Sequence, residues 1–534
     1  MKLILKTVVL FTIFVAVFAS AQTFKHIVIV FQENRTPDNL FGSNPTFATG
    51  VDIIGTGSRA LCKDPTPQGY SWIDLTPISG LVSCYDLNHT HQAWVNMCDL
   101  DPSTQTCKMD AACAVGVAPG MPKNCTPPSC PDKAYGYCPE YQYVGNSDLA
   151  VKPYFDIASL YGFANYFFAT NQGPSFPAHQ FILSGTSAPV LPTDNYHDWF
   201  AAENQSSGHV LGCIAPSNVK VEGIDPQGHE SFSWYNSAYP CYHHQTLSDL
   251  LDSHQPKISW KYYAPYEGSL WTAPNAIDTM CLSSGYGGHC TNPDNWGIGK
   301  NVSLEVTALA PIFSDIQNCN LPAVSWVIPD GRWSDHAGQG QATSNNGLGP
   351  AYVAAIVNAI GNSWRDSAGG GVCDYWGYGN NSGDKAAATL ILIAWDDWGG
   401  WYDHVAPPIA RNQYEVGFRV PLLVVSAYTT QGYVSGPIVG DGSSCPDPKF
   451  CMDFGSILRY VEDNFLGGAR IGGTNAHYAD YLAQQLDPGF VNGSGRGFAQ
   501  IALPAMYSTY TPTWFMNQTG TPEDPDEDAN EPSN

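Results

Sequence analysis

A chain of 534 residues with 43% hydrophobic and 13% aromatic side chains can bury a large core, which excludes a wholly disordered polypeptide. Its net charge of -25, from 48 acidic against 23 basic residues, excludes long-range attraction to nucleic acid or to an anionic lipid surface. Sixteen cysteines, an even number, suit disulfides formed in an oxidising compartment.

Residues 1–21, MKLILKTVVLFTIFVAVFASA, read as a secretory signal: Lys2 and Lys6 precede an apolar run, and Ala19-Ser20-Ala21 offers a small-residue cleavage site. No later segment is long and apolar enough to span a bilayer. The expectation is a secreted or periplasmic protein with no stable membrane anchor. HIVIVFQEN (26–34) predicts a first buried strand that closes on Glu33-Asn34-Arg35. Residues 44–150 hold eight cysteines between Cys62 and Cys138 and read as a stapled insertion with little core of its own. No CxxC cluster occurs there, so a zinc module is not expected. Within the insertion, DLNHTHQAW offers His89 and His91.

NQGPSFPAHQFILSGTS (171–187) makes a turn at Gly173-Pro174 and places Ser175 where a helix can start. A serine there meets backbone N–H groups and the positive end of the helix dipole, a setting that favours a phosphate-like anion; most serines so placed only cap the helix. Helices are expected over 244–255, 351–363 and 455–467, the last with Ile457, Leu458, Val461 and Phe465 on one face. Three further apolar runs, 322–330, 389–397 and 419–428, read as buried strands. The first leads into Asp330, Asp335 and His336; the second ends on Asp396-Asp397. Cys281/Cys290 and Cys445/Cys451 are spaced for local pairing, and the acidic tail 521–534 reads as disordered, leaving 22–520 as a single domain.

The runs are continuous rather than alternating, as expected of parallel strands covered on both faces. Ligands of such sheets bind beyond the carboxyl ends of the strands. Three strand ends therefore bring Glu33, Asn34, Asp396, Asp397 and His336 toward one edge. Adjacent carboxylates repel unless a proton or cation lies between them. These oxygen donors suit a divalent cation, with Ca, Mg, Mn and Zn all open.

ENRTPDNLFG resembles the Glu-Asn-Arg-Ser-Phe-Asp motif of the bacterial phosphoesterase family of phospholipases C and acid phosphatases. AWDDWGGWYDHVAPP, SWVIPDGRWSDHAG and GFRVPLLVVSAY are similar to three later blocks of that family, in the same order. The resemblance implies an alkaline-phosphatase-like, three-layer α/β/α sandwich with a mainly parallel central sheet and disulfide-rich loop insertions. It also implies Glu33, Asn34, Asp396 and Asp397 as metal ligands, with Ser175 as nucleophile and further ligand. His336 and His89, with His91 as a rival, would act on the phosphoryl group. Arg35, His179 and His404 would contact substrate, with Asp403 in support. The chain departs from the family at Pro177-Ala178-His179, where Pro-Asn-Arg or Pro-Asn-His is usual. It departs again at Asp453-Phe454-Gly455-Ser456, where a histidine is lost.

The activity so implied is hydrolysis of soluble or lipid phosphate esters through a phosphoserine. His179 in place of arginine points to an acid phosphatase, with phospholipase C as the alternative. A sulfatase and a non-catalytic exported binding protein are the remaining readings.

Overall fold

The computed structural model describes residues 24–523 except 64–68, 119–124, 131–135, 148, 190–198, 206–209, 232–236, 265, 297–299, 305–307, 339–346, 367–372, 379–387 and 439–443. The expected signal segment and nearly all of the acidic tail lie outside the described residues.

The strands are β1 (His26–Gln32), β2 (Gly162–Ala164), β3 (Phe200–Gln205), β4 (Val221–Ile224), β5 (Trp260–Ala264), β6 (Val302–Leu304), β7 (Val324–Val327), β8 (Thr389–Trp395), β9 (Leu422–Val425) and β10 (Tyr433–Ser435). Eight of them form one sheet in the order β6-β5-β7-β1-β8-β9-β2-β10. All pairings in it are parallel except those of β9, which runs antiparallel to both β8 and β2. The exception has a cause. Parallel neighbours need a crossover, usually a helix, and residues 396–421 contain none, so the chain turns back beside β8. β3 and β4 belong to a separate small antiparallel sheet.

The helices that matter for the site are α1 (Pro37–Phe41), α2 (His91–Cys98), α3 (Lys152–Leu160), α4 (Ser175–Ser184), α5 (Leu247–Ser253), α6 (Gly349–Asp366) and α7 (Phe454–Phe465). The central strands β1 and β8 are buried along their whole length. Partners across a parallel ladder share a face, so Phe31 lies with Ala394 and Gln32 with Trp395. Phe31 packs edge-on against Phe454 of α7, whereas Trp395 packs against Tyr154 of α3. Neighbouring positions thus bury on opposite sides, and helices cover both faces. That is the expected α/β sandwich, and it explains why these strands alternate with no polar side.

All sixteen cysteines pair, among them Cys281–Cys290 and Cys445–Cys451. The eight between Cys62 and Cys138 bond among themselves, as 62–113, 84–125, 98–107 and 130–138. Their surroundings are less bare than expected. Trp94, Met97, Ile73 and Tyr141 join six of these cysteines in a buried cluster completed by Trp398 and Phe418 from the 396–421 segment, while Cys84 and Cys125 pack with Trp401. The disulfide region is thereby anchored to the end of β8.

Candidate active site

β1 and β8 deliver their terminal residues side by side because they are registered neighbours, Gln32 opposite Trp395. Beyond them the chain turns sharply. Asn34 takes a left-handed φ of 60°, a conformation asparagine tolerates better than most residues. Its backbone N–H donates to Asp396 Oδ1 at 3.0 Å, locking one strand end to the other. Gly399 and Gly400 follow the aspartates with φ of 60° and 73°. A Cβ on Gly399 would lie 2.4 Å from the Asn34 carbonyl oxygen, and one on Gly400 2.5 Å from Leu87 Cβ. The glycine pair thus lets three chain segments meet at one point.

Ser175 is the first residue of α4 and is fully buried. Its Oγ lies 3.4 Å from Glu33 Oε2, 3.4 Å from Asp397 Oδ2 and 3.5 Å from Asn34 Oδ1. One turn further along α4, His179 Nε2 approaches Glu33 Oε1 at 3.1 Å and Asp396 Oδ2 at 3.9 Å. Glu33, His179 and Asp396 each place a ligand-capable atom within 4.8 Å of the others. Asp396 Oδ2 is buried and receives no hydrogen bond. Three carboxylates, an amide oxygen and a hydroxyl crowded together in a fully buried site fit a hard divalent cation, which would offset their mutual repulsion.

The histidines stand on the other side of Asn34. His89 is wholly buried, with Nε2 3.3 Å from Asn34 Nδ2 and Nδ1 2.7 Å from the Leu87 carbonyl. His336 lies with its ring 6.2 Å from that of His89, its Nδ1 2.6 Å from the Ala337 carbonyl. A carbonyl only accepts, so Nδ1–H is the donor in both rings, and His89 Nε2 accepts from the Asn34 amide. Beside His336, burial pushes the Asp335 carboxyl up to about 6, although Tyr154 donates to it at 2.7 Å and Trp395 Nε1 at 3.0 Å.

A family model described as the phosphoesterase family matches residues 24–364 and 379–466. The chain belongs to the phosphoesterase family. Among its relatives, a non-hemolytic phospholipase C of Pseudomonas aeruginosa is 22% identical over 83% of this chain and 54% of its own length. A hemolytic phospholipase C of the same organism is 21% identical over 83% of this chain and 53% of its own. Phospholipase C A of Mycobacterium tuberculosis is 21% identical over 76% of this chain and 68% of its own. The chain spans about half the length of the two Pseudomonas relatives.

In this member of the family the structure brings together Glu33, Asn34, Ser175, His179, Asp396 and Asp397, with His89 and His336 adjoining. Four other residues named from the sequence are engaged elsewhere. The Arg35 guanidinium is fully buried, donating to the Asp335 and Leu81 carbonyls and to Asn39 Oδ1 beneath the Trp401 ring. His404 is held between Asp38, 2.7 Å from Nδ1, and Asp52, 3.2 Å from Nε2. Burial lowers its affinity for a proton, but the two carboxylates outweigh that and lift its pKa to about 10. Asp403 joins the same network through Arg419 at 2.9 Å. The rival His91 pairs with Glu230 at 2.7 Å. Two residues escaped the sequence reading. Asp86 forms a cluster with His89 and His336, and buried Trp271 packs against both His179 and His336. An isolated Asp or Trp in a loop carries no spacing signal that would have marked either.

Proposed function

We propose that this chain is an exported, metal-dependent phosphoesterase of the phospholipase C kind, with Ser175 as nucleophile. The observation that carries the reading is the position of Ser175 Oγ, at a helix start and within 3.5 Å of Glu33, Asn34 and Asp397. The names of the relatives favour phospholipase C, reversing the order of the two readings drawn from sequence. Export is supported by eight disulfides, which form in an oxidising compartment.

Glu33, Asn34, Asp396 and Asp397 would hold the cation, which when bound supplies charge neutralisation at the phosphate and a more acidic serine hydroxyl. Ser175, entering the cycle as its alkoxide with the hydroxyl proton already released to solvent, attacks phosphorus in line with the departing alcohol. The P–O bond to the alcohol breaks and a phosphoserine forms. His336, protonated at Nε2, hands that proton to the leaving oxygen; His89 holds Asn34 in place through its Nε2. Water then attacks the phosphoserine, its proton returns to His336 Nε2, and Ser175 is regenerated. Acid phosphatase is the second reading, supported by His179, which presents an imidazole to Glu33 where part of the family carries a longer arginine.

The test pairs wild type with Ser175→Ala on phosphatidylcholine vesicles and on p-nitrophenyl phosphate at pH 5, each with and without EDTA. The expected outcome is diacylglycerol release by wild type, lost in the variant and abolished by chelation. Release of p-nitrophenol alone would transfer the enzyme to the second reading. Equal rates in wild type and variant would remove Ser175 as nucleophile.

A further inference from the structure

The two helices that begin at the site share a problem at their first turns. The leading N–H groups of a helix have no partner within it, and burial makes an unsatisfied one costly. α4 follows Pro174, whose side chain accepts nothing, and it has no cap of its own. α2 is capped by Thr90, which takes the Ala93 N–H and leaves that of His91. Both needs are met from outside by consecutive residues of β3. Glu203 Oε1 accepts from the His91 N–H at 2.8 Å, and Asn204 Oδ1 from the Phe176 N–H at 2.9 Å.

Consecutive side chains of a strand point to opposite faces, so a single strand can grip an element on each side. The register of β3 against β4 shifts between Ala201 and Gln205, around these two residues. Bulges of this kind re-aim side chains beside functional sites. The Tyr414 hydroxyl fixes the same stretch by donating to the Ala202 carbonyl at 2.8 Å. Glu203 and Asn204 are themselves buried, 0% and 2% exposed, so neither grip is diluted by water. His91 is two residues from His89, and Phe176 is next to Ser175.

We propose that Glu203 and Asn204 are positioning residues: one strand sets the nucleophile and the His89 imidazole relative to each other by holding the amide at the head of each helix. The proposal rests on the phosphoesterase reading above. Displacements of about 1 Å at a reacting group cost on the order of 100-fold in rate, so loss of either grip should act on turnover more than on substrate affinity.

The experiment compares Asn204→Leu, Asn204→Ala and Asn204→Asp, and likewise Glu203→Leu and Glu203→Gln, with rates taken per active serine counted by a fluorophosphonate label. Hydrogen exchange of the peptides spanning Phe176 and His91 is followed alongside. Expected are kcat values about 10-fold or more below wild type in the Leu and Ala variants, with KM within about twofold. The Asp and Gln variants keep an acceptor oxygen and should return to within about threefold. Exchange should accelerate at Phe176 for the Asn204 variants and at His91 for Glu203→Leu. Folded Ala or Leu variants with kcat per labelled serine at the wild-type level would overturn the proposal, leaving the strand a support only. Failure of Asn204→Asp to restore what Asn204→Ala loses would overturn it equally. If wild type turns over neither substrate, the phosphoesterase reading falls instead, and the exchange pattern alone decides whether the strand holds both helices.

Discussion

Asn34 joins the halves of the site through three separate groups. Its N–H fixes Asp396, its Oδ1 faces Ser175 Oγ, and its Nδ2 meets His89 Nε2. Its left-handed φ also explains why sequence adjacency misled at the next position: the chain reverses there and sends Arg35 beneath Trp401. Glu33, Asn34, Asp396 and Asp397 were legible because a strand end fixes where they arrive. The direction of Arg35 depends on one dihedral angle that no residue spacing encodes. His404 illustrates the same limit, since it was read as a substrate contact and sits between Asp38 and Asp52. His404→Gln should therefore lower stability by about 3–5 kcal/mol, the range for removing one partner of a buried ion pair. KM should stay within about twofold. Chemical unfolding and steady-state kinetics on one preparation would check this, and a rise in KM with stability intact would return His404 to the substrate.

At the level of elements, the apolar runs located β1, β7, β8 and β9, and the expected helices appear as α5, α6 and α7. Hydrophobic continuity says that a strand is buried, not which way it runs, so the reversal of β9 was not legible. β2, β6 and β10 are three residues each, too short to display a pattern. β3 was missed for another reason: its sequence FAAENQ is half polar, and those polar residues are the ones that hold α2 and α4. The tightest joint between elements is the turn after β8. Gly399→Ala would drive a methyl group into the Asn34 carbonyl at a left-handed φ that costs an L residue roughly 1–2 kcal/mol by itself. The expected result is divalent-cation affinity weaker by at least about 10-fold in calorimetry, since Asn34 and Asp397 can no longer both keep their places. Unchanged affinity in a folded variant would show that the turn does not hold the ligand cluster.

Over the whole molecule, buried acids set the response to pH. Burial pushes Glu140 up to about 8. It also raises Glu415 to about 7 against Arg411, and Glu222 to about 7 with help from Glu230. Burial, then the neighbouring Asp480, lifts Glu462 to about 9. Each value lies above the unfolded one near 4.3. The stability these groups contribute is complete below that value and is lost as pH rises through about 7 to 9. His404, raised to about 10, adds stability that is complete below about 6.5 and fades as pH climbs through its folded value. Asp52 works in the other direction. Burial alone would raise it, but His404 and Arg419 hold it at about 2, so its contribution is present above about 3.9 and lost as pH falls through 2. The window common to all of them is mildly acidic. Tm should be higher at pH 5 than at pH 8 by at least about 5 °C, measured by scanning calorimetry at constant ionic strength. A flat or rising Tm over that interval would show that these carboxyls are not buried as described.

The residues that meet around Ser175 come from positions 33–34, 89, 175–179, 336 and 396–397, so nearly the whole chain must be in place before any of them face one another. No nascent fragment ending before β8 can assemble the cluster, and a chain threaded through a translocation channel has none of it. On the phosphoesterase reading proposed above, activity would thus be deferred by topology until the polypeptide through β8 has collapsed into its final arrangement.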